Sequence, residues 1–365
     1  MPWPATAGAS ETDVASRQAM DDASGMEQGA ARKDRPSFVV LPIPQSNPAL
    51  GSGLVLAGVA FYQPAGSPRP WMTGAAVLWT DNGSRGGGVF QKAYLRGDLY
   101  RVSAFAGGAN LNVKFYGIGA RQANRDISVP IEQSGRAVQL DGLRRLRPNL
   151  YAGLRLRAAQ VETSLRFEGE ASEEFDLEAL QLDTRIGGPG LLLQYDSRDS
   201  EMYPSTGRYA NLQLQWNLAS FGSDLRYDRQ ELSYNHYRSL SPKGVLALRG
   251  ALCRASDGAP FFDICLFGAS NDLRGYETGQ YRDRAMGAVQ AEYRWQFARR
   301  WGALFFAGVG GVAPSMGDLA DARALPSGGM GLRFKASTAY NVNVSLDYAV
   351  GRDTDAVYVY IGESF

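Results

Sequence analysis

Asn341-Val342-Asn343-Val344-Ser345-Leu346-Asp347-Tyr348 puts Val342, Val344, Leu346 and Tyr348 at one parity and Asn341, Asn343, Ser345 and Asp347 at the other. Successive side chains of a β-strand point to opposite faces, so this stretch is a strand with one apolar and one polar face. Tyr209 to Leu218 repeats the pattern, with Leu212, Leu214, Trp216 and Leu218 opposite Asn211, Gln213, Gln215 and Asn217. Such a strand suits a soluble sandwich whose polar face meets water, and equally a membrane barrel whose apolar face meets lipid. Strand number, strand length and loop asymmetry decide between them.

Working outward, segments of strand character lie near 37–44, 52–63, 71–80, 85–96, 99–113, 129–142, 147–166, 179–196, 207–218, 227–240 and 244–255, then near 285–297, 302–312, 327–336, 340–349 and 356–364. Eleven and five make sixteen, an even number as in bacterial single-chain barrels. If the chain starts inside, the inner turns fall at 64–70, 97–98, 143–146, 197–206, 241–243, 298–301 and 337–339. The outer loops include 114–128, 167–178, 256–284 and 313–326, so most long connections share one side. Transmembrane barrels sort their loops this way, whereas a sandwich has no reason to. The fold class is therefore all-β, a transmembrane antiparallel barrel of 16 strands with a long sixth outer loop.

Composition agrees. Gly 43 and 11% aromatic residues fit β structure, and a net charge of +1 over 365 residues gives no reason to expect nucleic acid. No apolar run approaches the roughly 20 residues of a spanning helix, whereas a spanning strand needs only about 9–11. Residues 1–36 are rich in Ala, Ser, Asp, Gln and Gly without apolar periodicity, which predicts a disordered tail ahead of a barrel at 37–365. That tail holds no apolar core of a secretory signal peptide, which export requires.

The two ends of the sheet have to meet. Phe38-Val39-Val40-Leu41-Pro42-Ile43-Pro44 carries two prolines that cannot donate to a ladder, which suits a poorly paired edge or an ordinary strand start. The last strand, Val357-Tyr358-Val359-Tyr360-Ile361-Gly362-Glu363-Ser364-Phe365, puts Val357, Val359, Ile361 and Phe365 at one parity. The seam between these ends is expected to be the weakest joint.

Gly268-Ala269-Ser270-Asn271-Asp272-Leu273-Arg274-Gly275-Tyr276, with the polar run to Arg284, is too long and glycine-rich for a turn. Loops of this length usually carry function or are disordered. Cys253 and Cys265, the two cysteines of the chain, flank its start. In an oxidising compartment they would close a disulfide stabilising by about 3 kcal/mol; the alternative is two buried thiols. Other features carry less. One histidine and two cysteines make no metal site. His236 is the one candidate base, but alternation sets it opposite Asn235, and with Tyr234 and Tyr237 it suits an interfacial aromatic belt. Neither catalytic residues nor a cofactor are expected. Gly308-Val309-Gly310-Gly311-Val312-Ala313 mimics a dinucleotide fingerprint, but Pro314 stands where the helix should begin, so it reads as small-residue strand packing. The acidic run at Glu168, Glu170, Glu173, Glu174, Asp176 and Glu178 reads as solvated outer surface, with cation-bridged lipopolysaccharide contact as the alternative. Arg155, Arg157 and Arg185 are expected to point into the lumen, where charge is tolerated.

Phe267-Gly268-Ala269-Ser270 followed by Leu273-Arg274-Gly275-Tyr276 resembles the Val/Leu-Arg-Gly-Phe/Tyr motif in the sixth outer loop of the BamA/TamA-type surface-antigen barrels. Tyr195-Asp196-Ser197-Arg198-Asp199 with Tyr203-Pro204-Ser205-Thr206-Gly207 is similar to that family's inner-turn motif of Asp-Ser/Thr-Arg-Asp followed by Pro and Gly. Phe115-Tyr116-Gly117-Ile118-Gly119, Leu346-Asp347-Tyr348-Ala349 and the ending from Ile361 to Phe365 also resemble family members, the last as a C-terminal strand signal.

The resemblance implies an outer-membrane barrel whose motif arginine folds into the lumen and pairs with acidic groups, for which Glu292 and Asp347 are the candidates. A planar guanidinium suits a carboxylate. Phe305-Phe306-Ala307-Gly308 lacks the aspartate that many members place there. Members that insert or translocate proteins also carry periplasmic POTRA domains, whereas here residues 1–36 alone precede the barrel, so the expectation is a member without them. The implied role is assistance in outer-membrane protein assembly or translocation, by way of the seam and the lumen loop. Its partners would be outer-membrane lipid and lipopolysaccharide, client outer-membrane or secreted proteins, and a separate periplasmic partner. The alternative is a stand-alone pore or lipid-handling barrel gated by the Arg274 loop. A surface antigen of purely structural role is a third reading.

Overall fold

The computed structural model describes residues 37–47, 51–65, 67, 70–119, 128–165, 183–200, 203–268, 272–337, 342–352 and 354–365. The expected tail, the acidic run and most of the 114–128 loop lie outside these residues. Sixteen antiparallel strands follow one another in a single sheet. They are β1 (Ser37–Asn47), β2 (Gly51–Tyr62), β3 (Trp71–Thr80), β4 (Arg85–Leu95), β5 (Tyr100–Phe115), β6 (Val129–Arg147), β7 (Leu150–Leu165), β8 (Asp183–Asp196), β9 (Gly207–Asn217), β10 (Tyr227–Ser241), β11 (Gly244–Ala255), β14 (Ala285–Trp295), β15 (Trp301–Ala313), β16 (Leu325–Ser337), β17 (Val342–Val350) and β18 (Asp355–Ile361). The connection from β11 to β14 holds its own small ladder, β12 (Cys265–Leu266) with β13 (Arg282–Asp283). β18 lies beside β1, which closes the barrel. Among the described ladders β1 pairs with β2 and β18 with β17, so the closing contact is the one joint without a described ladder.

Side-chain parity sets the curvature. On β17, Val344, Leu346 and Tyr348 are exposed on the outside while Asn343, Ser345 and Asp347 are buried inside. On β9, Asn211, Gln213, Gln215 and Asn217 face inward in the same way. An apolar exterior over a polar interior is the arrangement lipid requires. Aromatic pairs mark one rim: the rings of Trp295 and Phe297 are 5.5 Å apart, and those of Trp301 and Phe334 5.0 Å apart.

The β2–β5 side departs from this code. Val55, Ala57, Val59 and Phe61 of β2, Met72, Ala76 and Leu78 of β3, and Phe90 and Phe105 of β4 and β5 face inward and pack with Phe261 and Phe262 of the long connection. Leu54, Leu56, Val77 and Trp79 are exposed on the opposite face. β2 and β3 are apolar on both sides.

Three expectations are corrected. The inner turn expected at 143–146 is strand, because Arg144 and Arg145 still pair with Ala152 and Tyr151. The chain reverses after Arg147 instead, at Pro148, which lacks a donor, and Asn149, whose φ of +65° suits that residue type. Arg185 is 66% exposed and pairs with Asp224 at 3.3 Å, because it shares the outward parity of Leu191 and Leu193. Tyr237 faces the lumen rather than a lipid-side belt, fully buried, its hydroxyl accepting from Asn235 Nδ2 at 3.0 Å.

Candidate functional site

The described parts of the 256–284 connection from Phe261 to Gly268 and from Asp272 to Asp283 are buried inside the barrel against its wall. Cys253 at the end of β11 is bonded to Cys265 of β12. Phe261 packs edge-on against Phe115 at 5.3 Å and against Phe262 at 5.5 Å. Phe267, Tyr276 and Tyr281 form a second aromatic cluster, with Tyr276 and Tyr281 5.7 Å apart. Several of its polar residues are matched on the wall. Asp263, wholly buried, receives Arg157 Nη2 at 2.6 Å and the Tyr227 hydroxyl. Asp272 lies 3.6 Å from Arg249. Burial pushes the Asp272 carboxyl above the usual carboxylate range, and Arg249 offsets this only in part. Glu277 accepts from the Tyr116 hydroxyl at 2.8 Å, and the Gly119 amide donates to the Arg282 carbonyl at 2.8 Å.

Arg274 stands at the centre of this plug. Its Nη2 lies 2.5 Å from Glu292 Oε2, its Nη1 pairs with Asp347 Oδ2, and its Nε donates to Gln290 Oε1 at 3.4 Å. Its guanidinium lies 3.7 Å from the ring centroid of Phe306. A planar cation with one carboxylate at each terminal nitrogen and a ring against its face is held in position and orientation. The flanking residues complete the socket. The Gly275 amide donates to the Tyr358 hydroxyl at 2.9 Å, and its carbonyl accepts from Thr354 Oγ1. Gly275 has φ +98°, and a Cβ there would meet the Gly351 nitrogen at 3.0 Å, so a side chain is excluded twice over. The Tyr276 hydroxyl donates to the Pro326 carbonyl at 2.5 Å. Leu273 fills the space that Gly308 leaves, since a Cβ on Gly308 would come within 2.5 Å of Leu273 Cδ1. The second carboxylate at Arg274 comes from Asp347 of β17.

The two carboxylates belong to a larger network. Arg294 places Nη2 2.5 Å from Glu292 Oε1 and donates through the same nitrogen to the Phe365 carbonyl at 2.7 Å. Arg333 pairs with Asp347 Oδ1 and, through Nε, with Glu363 Oε2 at 2.8 Å. Arg274, Arg294 and Arg333 therefore share Glu292, Asp347 and Glu363, three cations for three anions, all buried or nearly so. Burying one such charge without its partners costs several kcal/mol, so the network stands or falls as a set.

The inner-turn motif forms a compact unit beside this network. Arg198 grips Asp196 with two bonds of 2.9 Å and lies 4.4 Å over the Tyr209 ring. Burial works against the Arg198 charge, but the paired carboxylate more than offsets it and raises the guanidinium above its ordinary value. Asp199 accepts from the amides of Ser205 at 2.9 Å and Thr206 at 3.1 Å and from the Ser205 hydroxyl. Gly207 has φ +102°, and a Cβ there would strike the Ser197 carbonyl at 2.3 Å. Pro204 is buried, and its carbonyl accepts from Arg294 Nη1 at 3.3 Å, which ties this turn to the ion network.

The structure thus brings Arg274, Glu292 and Asp347 into contact and sets Leu273, Gly275 and Tyr276 around them. Phe365 is buried against Tyr237 and Ala247 at the inner mouth, while the side chain of Ile361 lies outside the described residues. Sequence reasoning missed Arg294, Arg333 and Glu363. The available signal was Glu292 and Arg294 at one parity of a strand whose other parity is Ala291, Tyr293 and Trp295.

Comparison with known proteins gives a single family. The sequence profile of the Omp85 superfamily domain matches residues 80–365. No curated protein sequence matches the chain. Among solved structures the chain is similar to BamA from Haemophilus ducreyi lacking POTRA domains 1-3, with a TM-score of 0.60 and 13% identity over 95% of this chain and 77% of that one. It is also similar to CdiB from Escherichia coli, with a TM-score of 0.61 and 13% identity over 91% of this chain and 63% of that one. CdiB from Acinetobacter baumannii gives a TM-score of 0.57 and 12% identity over 89% of this chain and 59% of that one. The chain spans less than two thirds of either CdiB. The profile covers well over half of the chain, and its Arg274 loop, inner turn and sixteen strands lie on one barrel: the chain belongs to the Omp85 superfamily.

Proposed function

We propose that this protein assists outer-membrane protein assembly or translocation in the bacterial outer membrane, through its seam and its lumen plug, without catalysing a reaction. One observation carries the reading: β1 and β18 lie side by side while each has its described ladder with its other neighbour. A strand edge held in this way offers its backbone donors and acceptors to an incoming strand, and main-chain pairing supplies affinity without demanding a sequence. β18 has only seven residues, which keeps the closing contact short. Pro42 and Pro44 share one parity of β1, so both missing donors point to the same neighbour. A client outer-membrane or secreted protein, and a periplasmic protein that delivers it, belong to the same proposal. Depletion of the protein followed by outer-membrane and secretome proteomics tests it: loss of specific barrels or secreted proteins supports it, and an unchanged proteome sinks it.

A second reading, a pore or lipid-handling barrel gated by the Arg274 loop, draws on the charged inner wall. Arg155 grips Asp141 there with two bonds of 2.7 Å. Planar-bilayer conductance separates the two readings.

A further inference from the structure

The rim that carries the short turns is unusually basic. Arg96 follows β4, Arg144 and Arg147 end β6, Arg208 opens β9, Lys243 precedes β11 and Arg300 precedes β15, and all six are exposed. They occupy five of the seven turns of this rim, those after β4, β6, β8, β10 and β14. None of the six forms an ion pair with any described residue. Described carboxylates on the same rim are already spoken for: Asp98 is buried against Arg101 at 2.8 Å, and Asp199 is bonded within its own turn. On the opposite rim several bases have acidic partners, as Arg185 with Asp224, Arg254 with Asp228 and Arg284 with Asp257.

Exposed bases with no ion-pair partner among the described residues, set at the edge of an apolar wall, call for anions at that level. We infer that the short-turn rim binds the phosphate headgroups of anionic glycerophospholipids in the leaflet it faces. Two features favour a lipid surface over an acidic protein. The bases are spread along the perimeter, where a leaflet meets every turn but a docked protein would meet one side. They also sit among aromatic side chains, exposed Trp295 and Trp301 near Arg300 in the chain, and half-buried Tyr100, whose ring lies 5.8 Å from Arg96. Aromatic and basic residues together mark the headgroup level of a bilayer. Lipopolysaccharide phosphates belong to the other leaflet, which meets the rim of mixed charge. Each base near an anionic surface contributes a factor of about five to binding.

The test uses the full chain in phosphatidylcholine bilayers, with spin-labelled phosphatidylglycerol compared with spin-labelled phosphatidylcholine at the protein perimeter. The expected result is a several-fold enrichment of phosphatidylglycerol at low salt that falls toward unity in 1 M NaCl, where the screening length shrinks to about 3 Å. The variant Arg144→Gln/Arg147→Gln/Lys243→Gln/Arg300→Gln should lose most of the enrichment while keeping its heat-modifiable gel shift. The two double variants, Arg144→Gln/Arg147→Gln and Lys243→Gln/Arg300→Gln, should each lose part, and they answer the question if the quadruple variant does not fold. Absence of enrichment in the unaltered protein overturns the inference and leaves the rim to an acidic protein. Enrichment undiminished in both double variants overturns it as well.

Discussion

Arg294 closes on the same carboxylate that holds Arg274. Glu292, two residues earlier on the same face of β14, receives Arg274 through Oε2 and Arg294 through Oε1, each at 2.5 Å. One side chain thus joins the lumen motif to the inner mouth, since Arg294 also donates to the carbonyls of Pro204 and Phe365.

Glu292→Gln leaves two buried guanidinia with one carboxylate fewer, and losing a partner of a buried ion set costs about 3–5 kcal/mol. The temperature of the heat-modifiable gel shift should fall, and limited proteolysis should cut within 256–284. Unchanged values for both would show that the motif arginine is held by Asp347 alone.

The Leu273 seat makes a steric prediction. Gly308→Ala places a methyl group within 2.5 Å of Leu273 Cδ1, and overpacking of this size costs about 1–3 kcal/mol. The Val289 carbonyl lies 2.5 Å from the same Cβ, so adding Leu273→Ala should restore only the share of the loss that the leucine contact contributes. If the double variant is simply the sum of the two singles, the contact is not what constrains the glycine.

Reduction of the Cys253–Cys265 bond should loosen the first part of the plug before the barrel itself. A closed loop of this length stabilises by about 3 kcal/mol. Hydrogen exchange with and without reductant should show faster exchange at 259–267 and little change in β14 and β15; uniform change would mean that the bond supports the barrel rather than the plug.

Asp199 gives a pH dependence. Burial works to raise its carboxyl, but the Ser205 hydroxyl and the amides of Thr206 and Ser205 outweigh it and hold the group below the ordinary carboxylate range. A depressed value in the folded state means that its contribution is present above the unfolded value, about 3.9, and fades as pH drops through the folded one. Asp199→Asn should therefore lower the gel-shift temperature at pH 7, and the gap to the unaltered protein should narrow as pH falls below about 3.9. A gap that does not narrow would contradict this.

Single release of Arg274 should not open a pore. The plug is also fastened by Asp263, Asp272, Glu277 and the disulfide, so Arg274→Ala is expected to leave planar-bilayer conductance low. Arg274→Ala/Asp263→Asn under reducing conditions should raise it several-fold. Full conductance from Arg274→Ala alone would favour the gated-pore reading.

Much of this was legible because period-2 patterning is a local signal. The strands at 207–218 and 340–349 declare their faces in the sequence itself, and loop lengths sorted by parity separate a membrane barrel from a sandwich. The Arg274 motif was legible as a unit because its residues are contiguous. What stayed hidden depends on contacts across the fold. Arg333 and Glu363 are 30 positions apart and meet only because β16, β17 and the end of the chain converge at the inner mouth. Arg185 has the same spacing pattern as Arg155 and Arg157, yet its strand has the opposite phase, which only the register with β7 fixes. The β6–β7 reversal slipped by a few residues because Leu143 and Leu146 look like turn flanks, whereas the ladder continues to Arg147 with one irregularity.

The two-sided apolar character of β2 and β3 bears on how firmly the barrel is aligned. Where polarity alternates, a shift of pairing by one residue is forbidden by cost: on β14 it would carry Glu292 and Arg294 into lipid. On β2 the same shift exchanges Val55, Ala57, Val59 and Phe61 for Leu54, Leu56, Gly58 and Ala60, one apolar set for another. Register is weakly specified wherever both faces accept the same kind of side chain. β2 and β3, on the β1 side of the seam, are thus less committed to a single alignment than β14 and β17, whose inward faces carry the ion network.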